Sequence, residues 1–374
     1  MTIAIDLRPA LQGWGGVETY TRHCVSTLIK RHPNHTFLLF WNQYKHTSIQ
    51  WIDALPNAIP VVAHIPNKVF QASLLTGAIR IDELIEKISG HHSDVFFAPN
   101  LDFFSFSKHL PFVLTLHDLS FEVYPEFFSW KSRIWHSAVR PQKWIRRASH
   151  IITVSQSTKR DASARFGISG EKISAIPLAS PVMPTNEMGC KENFILALYP
   201  NDRRKNAPYV IESFGRACKK NVALRSYRLV FAGPVSRTRQ AYLLRIAKDY
   251  GIAENIRFVG FVPHKEMQQL FANAQIFFYP SFYEGFGLPM LEAAAYQTPV
   301  IAAVDSSIGE VMGDTVLLVD PYDVNAGSLA LQALLEDREL ARTYADRALV
   351  RSQRYTWEKT AHHTMDVLMR AAKA

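Results

Sequence analysis

Two carboxylates separated by seven residues, Glu284 and Glu292, have the residue type and spacing of a ligand site. Glu292 is the only charged side chain between Gly285 and Val304. At helical spacing it shares a stripe with Leu288, so we expect it to point toward the protein interior. A buried carboxylate needs hydrogen-bond donors, and the hydroxyls of a sugar or a ribose could supply them. The alternative is a buried helix that contains one structurally paired glutamate.

The residues around these carboxylates predict a strand, a loop, a helix and a second strand. Apolar runs at 276–279 and 300–303 are typical of strands buried in a parallel sheet. The glycines of the loop would let backbone N–H groups at Phe286, Gly287 and Leu288 approach a ligand closely. A helix that begins near Leu288 adds partial positive charge, which suits a phosphate group.

Three consecutive cations, Arg203, Arg204 and Lys205, follow another predicted strand at 194–198. A solvated turn is one interpretation of this cluster. The other is a diphosphate site, because open α/β sheets bind ligands at the carboxyl ends of their strands. Since Glu284 lies in the same half of the chain, we favour the diphosphate site.

The first half contains two further candidates for ligand contacts. A glycine loop at 13–16 lies between a predicted strand, Thr2 to Asp6, and a predicted helix from about 17 to 31. Such a loop is either a tight turn or a phosphate or sugar contact. His117 follows a predicted strand at 111–116, which places it at the ligand-binding edge of a sheet. Most isolated histidines, however, are structural or simply exposed.

The segment 281–292, SFYEGFGLPMLE, resembles the signature of retaining glycosyltransferases of the GT-B fold. It is similar to the glycosyltransferase 4 family (glycosyl transferases group 1), which includes bacterial mannosyltransferases of surface-polysaccharide (O-antigen) assembly. The segments HDLSFEVYPEFFS from His117, RKN from Arg204 and YTWEKTA from Tyr355 resemble further motifs of this family. The motifs occur in family order along nearly the whole chain.

The resemblance implies roles for these residues. It implies that Glu284 and His117 face the donor sugar and that Glu292 faces the nucleotide ribose. It also puts the glycine loop, and with it Gly15 and Gly16, against the donor phosphates and the acceptor.

The resemblance also implies that Arg204 and Lys205 hold the diphosphate. Where some members have an additional Gly-Arg six residues before the lysine, this chain has Tyr199. Gly233 and Val262, at the ends of two further predicted strands, are assigned to the same nucleotide-sugar site. The loops contain no D-x-D cluster, so we expect cations to replace a metal and no cofactor to be required.

The predicted fold class is α/β, with the GT-B architecture of two Rossmann-like, doubly wound parallel-sheet domains facing across a cleft. Strands and helices alternate with short connections, as such sheets require. We expect an N-terminal acceptor-side domain at 1–182 and a nucleotide-sugar-binding domain at 190–354. The family resemblance implies that a final helix within 355–374 crosses back to the first domain.

Composition indicates a soluble globular protein of 374 residues, with 48% hydrophobic residues and a mean hydropathy of −0.06. No apolar stretch approaches the roughly 20 residues of a membrane span. The N-terminus does not have the pattern of a signal peptide, and the three cysteines predict neither disulfides nor a metal site. We therefore expect a cytoplasmic protein that contacts the inner face of the cytoplasmic membrane peripherally.

The formal net charge is +9, and the excess of cations lies mainly in the first half. Residues 127–160 contain no acidic side chain but eight Lys and Arg residues, interleaved with Trp130, Trp135 and Trp144. This pattern suits a surface that contacts anionic lipid headgroups. It equally suits a solvated basic helix whose tryptophans face the core. No nucleic-acid-binding signature accompanies it.

We predict a retaining hexosyltransferase that uses a nucleoside-diphosphate sugar, with GDP-mannose as first choice and UDP- or dTDP-sugars next. The expected acceptor is a hydroxyl of a lipid-linked oligosaccharide. Alternatives are a nucleotide-sugar epimerase or a glycogen-synthase-like enzyme on the same fold. A non-catalytic membrane-surface binding module is a third alternative.

Overall fold

The computed structural model describes residues 1–12, 15–44, 49–182 and 190–373. The chain forms two compact units, one made of Met1–Leu178 with Thr356–Ala374 and the other of Ala179–Tyr355. Residues 13 and 14 of the predicted glycine loop lie outside the described residues. The same holds for 183–189, in the predicted linker between the domains.

The first unit is built on a seven-stranded sheet whose strand pairs are parallel. Its strands are β1 (Thr2–Asp6), β2 (Thr36–Asn42), β3 (Ala58–Ala63), β4 (Val95–Ala98), β5 (Phe112–Leu116), β6 (His150–Thr153) and β7 (Ile173–Ala175). Their order is β3-β2-β1-β4-β5-β6-β7. The direction of winding reverses between β1 and β4, which creates a crevice at the carboxyl ends of these two strands.

Helices connect the strands of the first sheet. They are α1 (Gly16–Arg31), α2 (Asn67–Thr76), α3 (Ile81–Ser89), α4 (Ser120–Val123), α5 (Trp130–Val139), α6 (Pro141–Arg147) and α7 (Gln156–Phe166). The sequence sets some of these ends locally. Ser155, for example, caps α7 by accepting a hydrogen bond from the N–H of Thr158, and Gly167 ends the helix in a left-handed conformation.

The second unit is a six-stranded parallel sheet with the order β10-β9-β8-β11-β12-β13. Its strands are β8 (Glu192–Leu198), β9 (Arg228–Ala232), β10 (Ile256–Gly260), β11 (Ala274–Tyr279), β12 (Val300–Ala303) and β13 (Leu317–Val319). Its helices are α8 (Ala207–Lys220), α9 (Arg237–Asp249), α10 (His264–Asn273), α11 (Leu288–Ala295), α12 (Ile308–Met312), α13 (Val324–Glu336) and α14 (Arg338–Ser352). Here the winding reverses between β8 and β11.

The final helix, α15 (Trp357–Lys373), belongs to the first unit, where it packs against α1. His23 of α1 stacks on Trp357, with ring centroids 5.3 Å apart. Thr360 donates a hydrogen bond of 2.7 Å to the carbonyl of Pro177. These contacts attach the last helix of the chain to the first sheet.

The central strands are buried on both faces, which explains why they are continuous apolar runs without alternation. All four residues of β4 and all four of β12 are fully buried. The two parallel sheets with their connecting helices confirm the predicted α/β class.

One region that the sequence left unassigned, residues 42–79, contains β3 and α2. Its strand pattern is weak because β3 lies at the edge of the sheet and includes Pro60, which pairs with Leu39. Proline lacks the N–H that a central strand needs, so it is tolerated at such an edge. The side chain of Asn42 then connects the end of β2 to the turn before α2, through the carbonyl of Ile65 and Oδ1 of Asn67.

Candidate active site

Two loops meet at the carboxyl edge of the second sheet, at the point where its winding reverses. One follows β8 and contains Arg204 and Lys205, and the other follows β11 and contains Glu284. The N–H of Phe282 donates a hydrogen bond of 2.9 Å to the carbonyl of Arg204, which joins the two loops. Open α/β sheets bind ligands at this position. The structure therefore brings the predicted phosphate contacts next to the predicted sugar contact.

The ammonium of Lys205 is held by two groups from β11 and its loop. Its Nζ donates to Oε1 of Glu284 at 2.5 Å and to Oη of Tyr279 at 2.6 Å. The side chains of Lys205 and Glu284 are only 10% and 12% exposed. Burial, followed by the negative charge of Glu284, holds the pKa of the Tyr279 phenol well above its usual value. Among the described residues these are the only acceptors for Nζ, so one of its three N–H donors stays open.

Arg204 is oriented by Asp202, two residues before it. Nη2 of Arg204 lies 2.7 Å from Oδ2 of Asp202, and its backbone N–H donates to Oδ1 at 3.0 Å. Burial would raise the pKa of Asp202, but the hydrogen bonds and charge of Arg204 bring it below its usual value. Each of the two predicted phosphate-binding cations is thus paired with a carboxylate.

The backbone of Glu284 is anchored to the loop that follows β12. Its N–H donates to Oγ of Ser306 at 3.0 Å, and Oγ of Ser307 donates to its carbonyl at 2.9 Å. Ser306 has a left-handed φ of 59°, and Ser307 is fully buried. These two serines were not predicted. Their only sequence signal is their position just beyond a strand.

The start of α11 presents backbone rather than side chains. Gly287 caps the helix with a φ of 91°. The side chains of Phe286 and Leu288 are buried, and Phe286 packs edge-to-face on Tyr355 at 5.6 Å. In the part of the chain that the structure describes, the N–H groups of residues 286–288 have no hydrogen-bond acceptor. The predicted helix start near Leu288 is confirmed, and these donors are available to an anion.

Glu292 lies on α11 with its neighbours Leu291 and Ala295 fully or almost fully buried. The helix face that carries Glu292 points toward the interior, as predicted. Glu292 itself is only partly buried. Burial raises the pKa of Glu292 to about 7. Within the described residues, nothing donates a hydrogen bond to it. This carboxylate therefore differs from Glu284, which is held by a lysine.

Gly233 and Val262 lie on the other side of β8. Gly233 has a φ of 116°, and a Cβ there would be 2.8 Å from Cδ1 of Tyr199. Packing of Tyr199 and backbone conformation therefore explain this glycine without a ligand. Val262 is partly buried in the loop after β10, which is separated from β8 by β9. Their assignment to the nucleotide-sugar site stays a prediction.

His117 lies at the carboxyl end of β5 in the first unit. Its Nε2 is 2.8 Å from the carbonyl of Pro99 and therefore carries the proton, and its ring packs edge-to-face on Tyr20 at 4.8 Å. Burial lowers the pKa of His117, so the imidazole is neutral. The neighbouring Asp118 accepts hydrogen bonds from the N–H and Oγ of Ser120, a structural role at the start of α4. The predicted contact of His117 with a donor sugar stays a prediction.

Gly15 and Gly16 form the start of α1, also in the first unit. Gly15 is the cap residue, with a φ of 95°, and its carbonyl accepts a hydrogen bond from the N–H of Thr19. Gly16 is the first residue of the helix. The predicted arrangement of a glycine loop before a helix is confirmed for these two residues.

A charged cluster that the sequence did not predict lies where the winding of the first sheet reverses. Nη2 of Arg8 lies 2.7 Å from Oδ2 of Asp6 and 3.1 Å from the carbonyl of Phe103, and Nη1 lies 3.6 Å from Oδ2 of Asp102. Arg8 thereby connects the end of β1 to the segment after β4. The signal was present in the sequence, as two charges at the end of an apolar strand.

The basic segment at 127–160 divides into two parts. On α5, Trp130 is 67% exposed and Ile134 is 60% exposed. On α6, Trp144 is buried against Phe104, Phe106 and Phe112. Trp144 therefore faces the core, whereas α5 presents Trp130 and Ile134 at the surface.

Arg147 at the end of α6 is also structural. Its guanidinium donates a hydrogen bond to the carbonyl of Ser107 and lies over the rings of Phe106, Phe112 and Trp144. Burial lowers the pKa of Arg147.

No helix in the described ranges is both long enough and apolar enough to cross a membrane.

One group of side chains in the described part of the chain has metal-ligand spacing: His362, His363 and Asp366. It lies on α15 in the first unit, and both histidines are exposed. It does not involve any residue of the site at β8 and β11.

Comparison with known proteins identifies both halves. Residues 14–179 match the family described as Glycosyltransferase Family 4, and residues 186–350 match Glycosyl transferases group 1. The O-antigen chain mannosyltransferase B of Escherichia coli is 29% identical over 267 residues, which cover 68% of this chain and 69% of that protein. The O-antigen chain mannosyltransferase RfbU of Salmonella typhimurium is 30% identical over 220 residues, 59% of each chain.

Solved structures show the same fold. The sucrose-phosphate synthase of Thermosynechococcus elongatus superposes with a TM-score of 0.71 at 21% identity, covering 99% of this chain and 98% of that one. At this identity the likeness concerns the fold alone, and that fold is GT-B. The first half of the chain therefore carries a Glycosyltransferase Family 4 domain and the second half a Glycosyl transferases group 1 domain, so the chain is a glycosyltransferase.

Proposed function

We propose that this glycosyltransferase moves a mannosyl unit from GDP-mannose to a hydroxyl of a lipid-linked oligosaccharide, with retention of anomeric configuration. The choice of mannose and of a surface-polysaccharide acceptor rests on the two O-antigen chain mannosyltransferases that the chain resembles. The use of a nucleotide sugar rests on one structural observation. It is the ammonium of Lys205, fixed by Glu284 and Tyr279 at the switch point of the second sheet with one N–H donor open to a ligand among the described residues.

The diphosphate is the leaving group, and its developing negative charge is what the site must stabilise. The open N–H of Lys205 and the N–H groups of residues 286–288 supply donors that are already oriented in the free protein. Such preorganised donors are usually the largest electrostatic contribution to catalysis. The partial positive charge at the start of α11 adds to it.

The two carboxylates have separate roles in this proposal. Glu284 contacts the hydroxyls of the transferred sugar while its other oxygen holds Lys205. Glu292, for which the described residues supply no donor, accepts hydrogen bonds from the ribose hydroxyls. A bound nucleotide thus supplies the donors that the protein does not.

We propose that the acceptor attacks and the diphosphate leaves on the same face of the sugar, which retains the anomeric configuration. The acceptor oxygen forms the new bond to the anomeric carbon as the bond to the diphosphate oxygen breaks. The proton of the acceptor hydroxyl passes to that departing phosphate oxygen. This route needs no carboxylate nucleophile.

Metal independence is part of the proposal. Arg204 and Lys205 together supply the positive charge that a divalent cation supplies in other nucleotide-dependent enzymes. We expect transfer to proceed at an unchanged rate in excess EDTA.

We further propose that α5 contacts the anionic inner surface of the cytoplasmic membrane, where a lipid-linked acceptor resides. Trp130 and Ile134 lie one helical turn apart and are largely exposed, with the cations Lys131 and Arg133 beside them. Exposed aromatic and aliphatic side chains among cations suit the interface between headgroups and acyl chains. The nearest acidic residue before this helix is Glu126.

A nucleotide-binding experiment tests the central assignment. Calorimetric titration of the wild-type chain with GDP, UDP and dTDP, with and without magnesium, should show tightest binding to GDP. Lys205→Ala should weaken that binding about 10- to 100-fold, because it removes a charge-assisted hydrogen bond. Lys220→Ala, an exposed lysine at the end of α8, is the matched control and should bind as wild type.

Equal affinities of the two lysine variants for every nucleotide would contradict the assignment. Transfer itself is followed with GDP-mannose and a short mannosyl acceptor, with the configuration of the product read by NMR. Turnover of the nucleotide sugar to an isomer in the absence of acceptor would instead support an epimerase.

A further inference from the structure

Two adjacent histidines and one aspartate lie on the solvent side of α15, in the first unit. The side chains of His362 and His363 are 64% and 58% exposed, and that of Asp366 is 38% exposed. The opposite side of the helix is buried and packs against α1. Because residues three and four apart are neighbours on a helix, both imidazoles lie beside the one carboxylate.

The distances among the three ligand atoms are too long for hydrogen bonds and close to those of ligands that share one metal ion. Nε2 of His362 lies 3.7 Å, and Nδ1 of His363 lies 3.9 Å, from Oδ2 of Asp366. A good N–H···O hydrogen bond is no longer than about 3.2 Å. Ligand atoms about 2.0–2.2 Å from a tetrahedral ion lie roughly 3.3–3.6 Å from one another. All three ligand atoms here lie within 4.8 Å of one another.

The helix that carries these side chains is fixed from its buried side. Oγ1 of Thr360 donates a hydrogen bond of 2.7 Å to the carbonyl of Pro177. One turn further along, Oγ1 of Thr364 lies 3.8 Å from Sγ of Cys24 on α1. Ligands on a packed helix are held more precisely than ligands on a loop. The backbone from which the three side chains project is therefore in place before an ion binds.

The donor atoms select the class of ion. Imidazole nitrogen suits Zn²⁺, Ni²⁺ and Cu²⁺, whereas Mg²⁺ and Ca²⁺ prefer oxygen ligands. Zn²⁺ accepts both imidazole nitrogen and carboxylate oxygen, and three protein ligands leave its fourth position to water.

We propose that His362, His363 and Asp366 bind one Zn²⁺ ion, with water as the fourth ligand. The ion joins two successive turns of α15 and stabilises the first unit. This inference goes beyond the proposed function, because none of the three ligands belongs to the candidate active site.

Calorimetric titration of the full chain, without an affinity tag, with ZnCl₂ tests the site. The wild type should bind one ion per chain, and MgCl₂ should give no saturable binding. The double variant His362→Gln with His363→Gln should lose at least tenfold in Zn²⁺ affinity, and so should Asp366→Asn. Even a change in an outer-shell partner of a metal ligand costs about 10- to 100-fold.

The matched control is the double variant His91→Gln with His92→Gln. These are also adjacent, exposed histidines of the first unit, and Nδ1 of His92 lies 3.5 Å from Oε2 of Glu86. Among the described residues, however, this pair belongs to no group of three converging ligand atoms. The control should therefore bind Zn²⁺ as the wild type does.

Thermal unfolding provides a second measurement. Zn²⁺ should raise the melting temperature of the wild type and the control but not that of the α15 variants, because a ligand stabilises only the state that binds it. EDTA should reverse this rise, while the rate of sugar transfer stays unchanged. Without Zn²⁺ all variants should melt together, since the substituted side chains lie at the surface.

Three results would overturn the site. One is a wild type that binds Zn²⁺ no better than the double variant of α15. Another is an equal loss of affinity in the His91 and His92 control, which would mean that the ions bind scattered surface histidines. The third is wild-type affinity in Asp366→Asn, because the carboxylate would then not be a ligand.

Discussion

Charge pairing distinguishes the two glutamates of the site. Glu284 is paired with Lys205, just as Asp202 is paired with Arg204. In the described part of the chain, Glu292 has no donor and its pKa is raised to about 7 by burial. A carboxylate in this state lowers the stability of the folded protein, which is a cost that a ligand-binding role can explain.

The pKa of Glu292 predicts a pH-dependent gain of stability in Glu292→Gln. Between its ordinary pKa of 4.5 and the folded value of about 7, the folded state binds more protons than the unfolded state. The free energy of unfolding therefore falls as pH rises through this window, and the substitution removes that fall. We expect no gain in the free energy of unfolding near pH 4.5. Above pH 7 we expect a gain of about 1–2 kcal/mol, which is less than the full pKa shift implies because solvent screens this partly exposed group. Urea unfolding of Glu292→Gln and the wild type at pH 4.5, 6 and 8 measures this difference in the free energy of unfolding.

The same variant should bind GDP more weakly, which a purely structural glutamate would not do. Glu284→Gln is the comparison: it should bind free GDP at least as tightly as wild type and lose transfer. Parallel stability curves for Glu292→Gln and the wild type at all three pH values would contradict the raised pKa. Equal GDP affinities of the two variants would contradict the separate roles.

Among the elements, the start of α11 depends most on one residue. Gly287 combines a left-handed φ of 91° with a close neighbour, since a Cβ there would lie 2.3 Å from Cε of Met290. Gly15, at the start of α1, has a similar φ of 95° but nothing within 4 Å of its Cβ position. Comparison of the two glycines therefore distinguishes the cost of backbone strain, which both share, from the cost of steric contact, which applies only to Gly287.

Gly287→Ala should therefore destabilise the protein more than Gly15→Ala. Backbone strain alone costs about 1 kcal/mol in each variant, and displacement of the Met290 side chain adds about another 1 kcal/mol to the first. Chemical unfolding measures the difference. Adding Met290→Ala to both backgrounds tests the steric part, because the excess cost of Gly287→Ala should then disappear. Equal losses in the two single variants would mean that Met290 adds no steric cost at position 287.

At the scale of the whole molecule, positive charge and exposed apolar surface coincide on α5. Most of the net charge of +9 comes from the first 180 residues, which contain 19 Lys and Arg against 13 Asp and Glu. Within the basic segment α6 differs from α5, because Trp144 of α6 is buried in the core and Arg147 lies over the ring of Trp144. Charge reversal at Arg147 would disturb that packing, so α5 is the place to test membrane contact.

A variant with Trp130→Ser, Lys131→Glu, Arg133→Glu and Ile134→Ser should lose binding to vesicles that contain anionic lipid. Each cation near such a surface contributes about 1 kcal/mol, and the contribution falls with rising salt because exposed charges are screened. Vesicle co-sedimentation at low and high salt measures it. The control is Lys219→Glu, Lys220→Glu and Val222→Ser, which reverses exposed charges and removes an exposed apolar side chain in the second unit.

The α5 variant should keep the GDP affinity and the melting temperature of the wild type. It should lose activity on a lipid-linked acceptor while activity on a short water-miscible acceptor persists. Wild-type binding that ignores lipid charge, or an α5 variant that sediments like the control, would contradict the membrane proposal.

The sequence by itself determined several of the strands and helices and the edge of the sheet at which the site lies. Apolar runs predicted β1 and β12 with their observed ends, and the glycine loop before Leu288 predicted where α11 begins. These features are local, because an apolar run or a helix cap depends on residues adjacent in the chain. The position of His117 and of Lys205 at strand ends followed from the general rule for open α/β sheets.

Only the tertiary structure decided which groups are partners. Lys205 meets Tyr279 and Glu284, 74 and 79 residues further along the chain, because strand order places β11 beside β8 although β9 and β10 intervene. The left-handed backbone of Tyr199 likewise depends on β9. Local patterns could not separate Trp130 from Trp144 either, since burial depends on which surface each helix turns toward the core. Pairing across strands is a property of topology, and a pattern of neighbouring residues does not contain it.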